Sequence, residues 1–169
     1  LYDKLKGELY QELEIEFRED LKNWGAELHR DGLVIRFKQP DILFDIGSHK
    51  LKPRFKKILE NFFPRFVAII SKEKYRNDIE EVRIEGHTSS FWKNASTELE
   101  AYFKNMELSQ SRTKSTLEFI LNLSDIIDEI FWLKKHVTAN GLSSSKLIRY
   151  SDGKEDWVKS QRVEFRILT

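Results

Sequence analysis

Apolar residues at Tyr2, Leu5, Leu9, Leu13, Phe17, Leu21 and Trp24 recur every three or four positions among glutamates and lysines. That spacing lines one face of a helix several turns long. A stripe of this kind predicts a helix that packs on a neighbouring domain or leads into one, and a helical dimer contact is its other use. Gly25 stops the pattern, and Asp31-Gly32 then introduces Leu33-Val34-Ile35-Arg36-Phe37, whose β-branched content predicts a strand. After Gln39-Pro40, Ile42 to Ser48 is expected as a short extended piece ending in a turn, with Ser48 placed to cap the next helix. From Leu51 to Ser71, the residues Leu51, Phe55, Ile58, Leu59, Phe62, Phe63, Phe66 and Ile69 return to helical spacing. Pro53 suits a first turn, and Pro64 is expected to kink the helix.

Ile79 to Glu85 alternates imperfectly and predicts a strand ending at Gly86. The stretch from Ser89 to Lys104 is polar at both ends but holds Phe91, Trp92, Tyr102 and Phe103, with a helix beginning near Thr97. Glu107 to Leu121 predicts a helix. Asp125 to Lys135 is a second helix or its continuation past a break near Leu123-Ser124. His136 to Asn140 reads as a strand leading into Gly141 and the polar loop Ser143-Ser144-Ser145, and Arg162 to Leu168 alternates clearly as the last strand. After the lead-in helix the order is strand, helix, strand, helix, strand, strand. That order predicts an α/β (α+β) two-layer sandwich with helices on one face of a mixed sheet. Residues 1–30 are expected to form an amphipathic linker helix and residues 31–169 one domain.

The 29 basic and 28 acidic residues give a net charge of +1 and are interspersed, so no concentrated field is available to hold nucleic acid. The absence of cysteine removes disulfides, thiolate metal sites and cysteine nucleophiles, and fits an envelope location. Phe62 to Ile70, the best apolar run, is too short to span a bilayer and is broken by Pro64 and Arg65. No signal-peptide pattern opens the chain. Because it begins at Leu1 without an initiator methionine, a fragment is expected, its membrane or targeting segment lying upstream. His29, His49, His87 and His136 are too scattered to suggest a metal, and no cofactor is expected.

Two short signals carry the candidate chemistry. Ile84-Glu85-Gly86-His87-Thr88 ends a strand, and Asn105-x-x-Leu108-Ser109-x-x-Arg112 runs along a helix. Asn105, Leu108 or Ser109, and Arg112 share one stripe of that helix. The guanidinium is a rigid fork of donors suited to a carboxylate. On the helix alone, a solvated surface arginine is the competing reading. His87 beside Thr88 and Ser89 lacks a nucleophile elbow or an ordered triad, so a structural hydrogen bond is its expected role. Lys50, Lys52, Arg54, Lys56 and Lys57 read as a solvated helix face.

Taken in order, Phe44-Asp45-Ile46-Gly47-Ser48-x-x-Leu51, Ile84-Glu85-Gly86-His87-Thr88, Asn105-x-x-Leu108-Ser109-x-x-Arg112 and Gln161-Arg162-Val163-Glu164-Phe165 resemble the OmpA-like C-terminal domain. This peptidoglycan-binding module also occurs in MotB-type stator subunits and Pal lipoproteins, and the resemblance spans roughly Leu33 to Leu168. It implies a non-enzymatic, periplasmic receptor for the diaminopimelate-bearing stem peptide. Arg112 would fork onto a free carboxylate of that ligand. Asn105, Thr88, Leu108 and Ser109 would hold the rest, while Arg162 and Glu164 brace the final strand. The lead-in helix favours the stator type, anchored in the membrane by the missing segment and commonly a homodimer.

The sequence departs from the family pattern at Ser89, where the family usually has an aspartate that pairs with the ligand's ammonium. Replacing a charged hydrogen bond by a neutral one costs about 1 kcal/mol, or several-fold in affinity. Glu98, Glu100 or Glu107 is expected to supply a replacement carboxylate. The interval from Thr88 to Asn105 is also longer than usual, and its aromatics either wall the groove or, the preferred reading, pack back on the domain. With these departures the chain resembles a specialised stator subunit, such as the MotB-like subunit of the Zorya anti-phage system. A protein-interaction module that has lost wall binding is the alternative on the same fold, and a wall hydrolase using His87 is the second.

Overall fold

The computed structural model describes residues 2–169, with side chains from Lys4 onward. Helix α1 (Tyr2–Trp24) is followed by a hairpin of β1 (Ala26–His29) and β2 (Val34–Phe37). The one-turn helix α2 (Pro40–Leu43) and the long α3 (Pro53–Ile70) come next, then the short α4 (Glu73–Arg76) and strand β3 (Glu81–His87). Helix α5 (Glu98–Leu121), a 3-10 turn over Ser124–Glu129, α6 (Ile130–His136), β4 (Val137–Gly141), the one-turn α7 (Trp157–Ser160) and β5 (Arg162–Leu168) complete the chain. The strands form one mixed sheet in the order β1-β2-β5-β3-β4, antiparallel except for the parallel pair β3 and β4. This is the expected α/β sandwich with one strand more.

That extra strand, β1, begins directly after the glycine at which the helical pattern stops. Ala26 to His29 alternates, and Asp31-Gly32 comes next as a hairpin turn with Gly32 at φ +78. The turn uses two left-handed residues, Gly32, which adopts that region without strain, and Leu33 at φ +46. β1 and α1 both lie within residues 1–30, and both are built into the body of the fold. Leu9, Leu13 and Phe17 are fully covered and share one core with Phe62 of α3 and Phe165 of β5. Phe17 and Phe62 lie 5.2 Å apart between ring centres, and Arg65 of α3 bonds Glu16 and Asp20 of α1.

Two expectations of local structure are corrected. Of the piece expected to extend from Ile42 to Ser48, Ile42 and Leu43 instead coil into α2, because Pro40 fixes a helical φ at the first position, while Phe44 is extended and bridges Leu51. Ser48 accepts a hydrogen bond from Lys50 N and so stabilises a turn, while α3 starts after Lys52 with Pro53 in its first turn. Pro64 lies inside an α3 that runs unbroken to Ile70. The helix from Thr97 is as expected: its hydroxyl caps Glu100 N at 3.0 Å, and the Glu100 carboxylate reaches back to Ser96 N.

The sheet has two chemically different faces. Ile35, Phe37, Val82, Ile84, Val163, Phe165 and Ile167 point into the apolar core. On the other side of the same strands stand Arg36, Arg83, Glu85, His87, Arg162, Glu164 and Arg166. Glu164 is completely covered, with Arg36 and Arg162 each donating to it at 2.7 Å and Arg166 at 3.1 Å. A buried carboxylate is tolerable only with such partners. Burial alone would raise its pKa, but the hydrogen bond and charge of Arg162 outweigh that and bring it down to about 2. The bracing role expected of Arg162 and Glu164 is therefore observed.

Candidate functional site

Arg112 projects from the middle of α5 toward the loop after α2. Its Nε donates to the Ser48 carbonyl at 2.8 Å and its Nη2 to the Asp45 carbonyl at 3.1 Å. The guanidinium carbon lies 4.7 Å from the centre of the Phe44 ring. Thus the Phe44-Asp45-Ile46-Gly47-Ser48 segment is the bracket that fixes the arginine, a role the sequence pattern alone did not reveal. The loop can turn its carbonyls inward because Gly47 adopts φ +70.

No carboxylate of the described residues pairs with Arg112, and burial alone pushes its pKa down, to about 10. It remains a cation at neutral pH, partly buried and with Nη1 making no hydrogen bond to the described residues. Arg162, enclosed more fully, has Glu164 as its counter-ion. A guanidinium supported only by carbonyls and a ring face keeps the capacity to pair with an anion on its free side.

Five of the six predicted site residues, Thr88, Ser89, Asn105, Leu108 and Arg112, line one cleft of about 400 Å³. Their polar atoms are held in place. Asn105 Nδ2 donates to the Phe91 carbonyl at 3.0 Å, Thr88 N donates to the Ser143 carbonyl at 2.9 Å, and Ser89 Oγ accepts from Phe91 N at 3.3 Å. Ser109, the sixth, is completely covered and faces an adjoining pocket with Arg112, Gly86 and His87. Its hydroxyl donates to the Met106 carbonyl and accepts from Ser143 N, which ties α5 to the loop after β4.

The expected replacement carboxylates lie elsewhere. Glu100 is spent on Ser96 at the start of α5, and Glu107 lines a separate surface depression with Leu99 and Phe103. Glu98 is exposed on the same first turn. The carboxylate nearest the 88–90 loop is Glu155, which accepts from Ser90 N and Ser90 Oγ at 3.2 Å each. Nothing in its sequence surroundings marked it. The aromatics also differ from the preferred reading: Phe91 and Phe103 stay more than half exposed, while Trp92 and Tyr102 are partly covered.

His87 is buried, with Nε2 at 3.1 Å from Glu85, which is the structural bond expected of it. Burial holds its pKa below the usual histidine value, against the pull of Glu85. Glu85, His87 and Glu164 come close enough together to ligate a cation. However, three arginines already occupy the Glu164 oxygens, and Arg166 also donates to Glu85. The donor set is neutralised from within the fold, and metal chemistry does not fit it.

The chain is 43% identical to the Zorya protein ZorB of Escherichia coli (strain ATCC 8739) over 168 residues, covering 99% of this chain and 71% of that protein. Among solved structures, a putative MotB-like protein from Desulfovibrio vulgaris superposes with a TM-score of 0.66 at 19% identity, over 97% of this chain and 91% of that one. The cell wall anchor of the type VI secretion system from Pseudomonas aeruginosa gives 0.55 at 18% identity, over 93% and 96%. The periplasmic domain of Helicobacter pylori MotB gives 0.56 at 13% identity, over 85% and 80%. These structural likenesses establish the fold. No protein-family model matches the chain. No helix of the described residues is long and apolar enough to cross a membrane.

Proposed function

Because the chain belongs to the family of the Zorya protein ZorB, we propose that it is the wall-anchoring domain of a stator-type membrane complex. In this reading it binds the diaminopimelate-bearing stem peptide of peptidoglycan in the periplasm. The observation that carries the proposal is Arg112, a wrapped cation with no counter-ion among the described residues, which lines one cleft with Thr88, Ser89, Asn105 and Leu108. One carboxylate of the ligand would meet the free side of the guanidinium as a charge-assisted pair. Asn105 and the main chain near Thr88 would fix the ligand's amide groups, and Leu108 would pack on its methylenes. Ser109 supports this wall from behind, through its bond to Ser143.

The reaction this requires is binding without chemistry, so the domain acts as an anchor and not as an enzyme. The missing aspartate at position 89 is offset only by the Ser89 hydroxyl, which retains one lone pair and its own proton. An affinity weaker than that of aspartate-bearing relatives is the consequence. The same resemblance extends the reading to a homodimer, for which light scattering of the purified domain is the test.

Pull-down on purified sacculi tests the anchor directly. Arg112→Ala should remove most of the bound protein, a loss of about 1.5–3 kcal/mol for a hydrogen bond to a charged group. Its melting temperature should stay near that of the parent, because the two released carbonyls lie on a solvent-facing loop. If binding is unchanged while the protein remains folded, the alternative stands: the fold serves as a protein-interaction module.

A further inference from the structure

Two aromatic rings from distant parts of the chain meet at the mouth of the Arg112 cleft. Phe91 and Trp157 lie 5.5 Å apart between ring centres, tilted by 43°, and keep 54% and 50% of their surface exposed. Both line the same 400 Å³ space as Arg112 and Asn105, together with the half-covered Trp92. Large exposed aromatic surface is costly to leave in water and marks a contact site when it is organised.

Here it is organised by a set of polar ties. Ser90 N and Oγ both donate to Glu155, which fastens the Phe91 loop to the segment that carries Trp157. Asn105 Nδ2 holds the Phe91 carbonyl, and Phe91 N donates to Ser89 Oγ. Asp156 Oδ1 caps Lys159 N, which sets the direction of the turn bearing Trp157. The rings are therefore exposed but presented on fixed backbone, so little ordering entropy is lost when a ligand covers them. Lys93 and Asn94, beside Phe91 and Trp92 in the same cleft, add polar groups at the rim.

We propose that this aromatic ledge is a saccharide subsite, and that it takes the N-acetylated hexosamine ring to which the bound stem peptide is attached. A pyranose has one face lined by C–H bonds that lies flat on an aromatic ring, and equatorial hydroxyl and acetamido groups that reach neighbouring polar side chains. The ledge offers both features. It is continuous with the Arg112 pocket, so a peptide gripped by its acidic tip would carry its sugar toward Phe91 and Trp157. The proposal rests on the wall-anchoring reading of that pocket and extends its ligand from a peptide to a muropeptide.

The test is titration calorimetry of the domain with free stem tripeptide and with the disaccharide-tripeptide. The parent should bind the disaccharide-tripeptide about three- to tenfold more tightly than the tripeptide, the range expected for one aromatic contact. Trp157→Ala and Phe91→Ala should each erase that difference and leave tripeptide binding unchanged. Trp157→Tyr, which retains a ring face, should restore most of it. Equal affinity of the parent for both ligands overturns the saccharide subsite and leaves the Arg112 reading intact. So does a Trp157→Ala protein, folded by circular dichroism, that weakens both ligands to the same extent. If the parent binds neither ligand, both readings fall together.

Discussion

Gly86 lies so close to α5 that a β-carbon added to it would come within 2.9 Å of the Ser109 carbonyl oxygen. The same β-carbon would sit 2.9 Å from the Thr113 methyl group, so neither side can yield freely. The glycine of Gly-His-Thr is therefore required by the packing of β3 on the arginine-bearing helix, and not by an unusual φ. Gly86→Ala should push the two apart at a cost of about 1–3 kcal/mol. Urea denaturation should show that loss. Ser109→Ala leaves the buried Ser143 N without its acceptor and should cost about as much, with the stem-peptide affinity declining only as the fold loosens.

Phe17 gives a test of whether residues 1–30 act as a detachable linker. Its ring is fully covered, 5.2 Å from Phe62 and 5.8 Å from Trp24, with the Arg65 guanidinium 5.0 Å away. Phe17→Ala should destabilise the whole domain by about 3–5 kcal/mol. If α1 were a separable spacer, the denaturation midpoint would not move.

The reasons some elements were legible and others not are physical. α3 and β5 announced themselves because each buries one full face, which leaves a clean period of 3.6 or 2 in the sequence. β1 was hidden by its brevity, since Ala26-Glu27-Leu28-His29 offers two apolar positions and edge strands need no more. The helical stripe places Asn105 and Arg112 on one cleft wall, yet position on a stripe does not distinguish a side chain that borders open space from one locked wholly into the fold. Ser109 belongs to the second kind. Glu155 was invisible because its importance lies in a contact with Ser90 across 65 residues, and no local pattern encodes such a pairing. The bracket at Ser48 and Asp45 acts through main-chain carbonyls, which any side chains could have carried.

Stability should fall steeply on acidification. Burial opposes ionisation of Glu164, but the hydrogen bond and charge of Arg162, with the charge of Arg36, overcome it and hold the folded pKa at about 2, against the ordinary 4.5. Glu12 behaves alike: burial opposes, while hydrogen bonds from Lys72, Tyr75 and Lys74 lower it to about 2. A carboxyl with a depressed folded pKa contributes stability that is fully present above pH 4.5 and is lost as pH drops toward 2. His87, kept neutral by burial, adds in the same direction, because the unfolded chain gains a proton there first. The melting temperature should therefore plateau above neutrality and decline below about pH 6.5, most sharply under about pH 4.5. Glu164→Gln should flatten the lower part of that decline while reducing stability at neutral pH.

Ser89→Asp would reintroduce a carboxylate beside the Arg112 cleft, and the local geometry can accommodate it. Ser89 Oγ accepts from Phe91 N, a bond that an aspartate oxygen can keep while its second oxygen faces the ligand's ammonium. Position 89 is largely covered, so the new charge depends on that donor and on the ammonium for compensation. The free domain should accordingly lose a little stability. Its affinity for the stem tripeptide should rise by about 1 kcal/mol, or roughly fivefold, because a neutral acceptor becomes a charged one. Calorimetry at two ionic strengths separates this from a general change in charge: the gain should shrink as salt screens the ammonium–carboxylate contact. It should also vanish for a ligand in which the ammonium is acetylated. An equal gain with the acetylated ligand would place the ammonium away from residue 89 and reverse the ligand's orientation in the cleft.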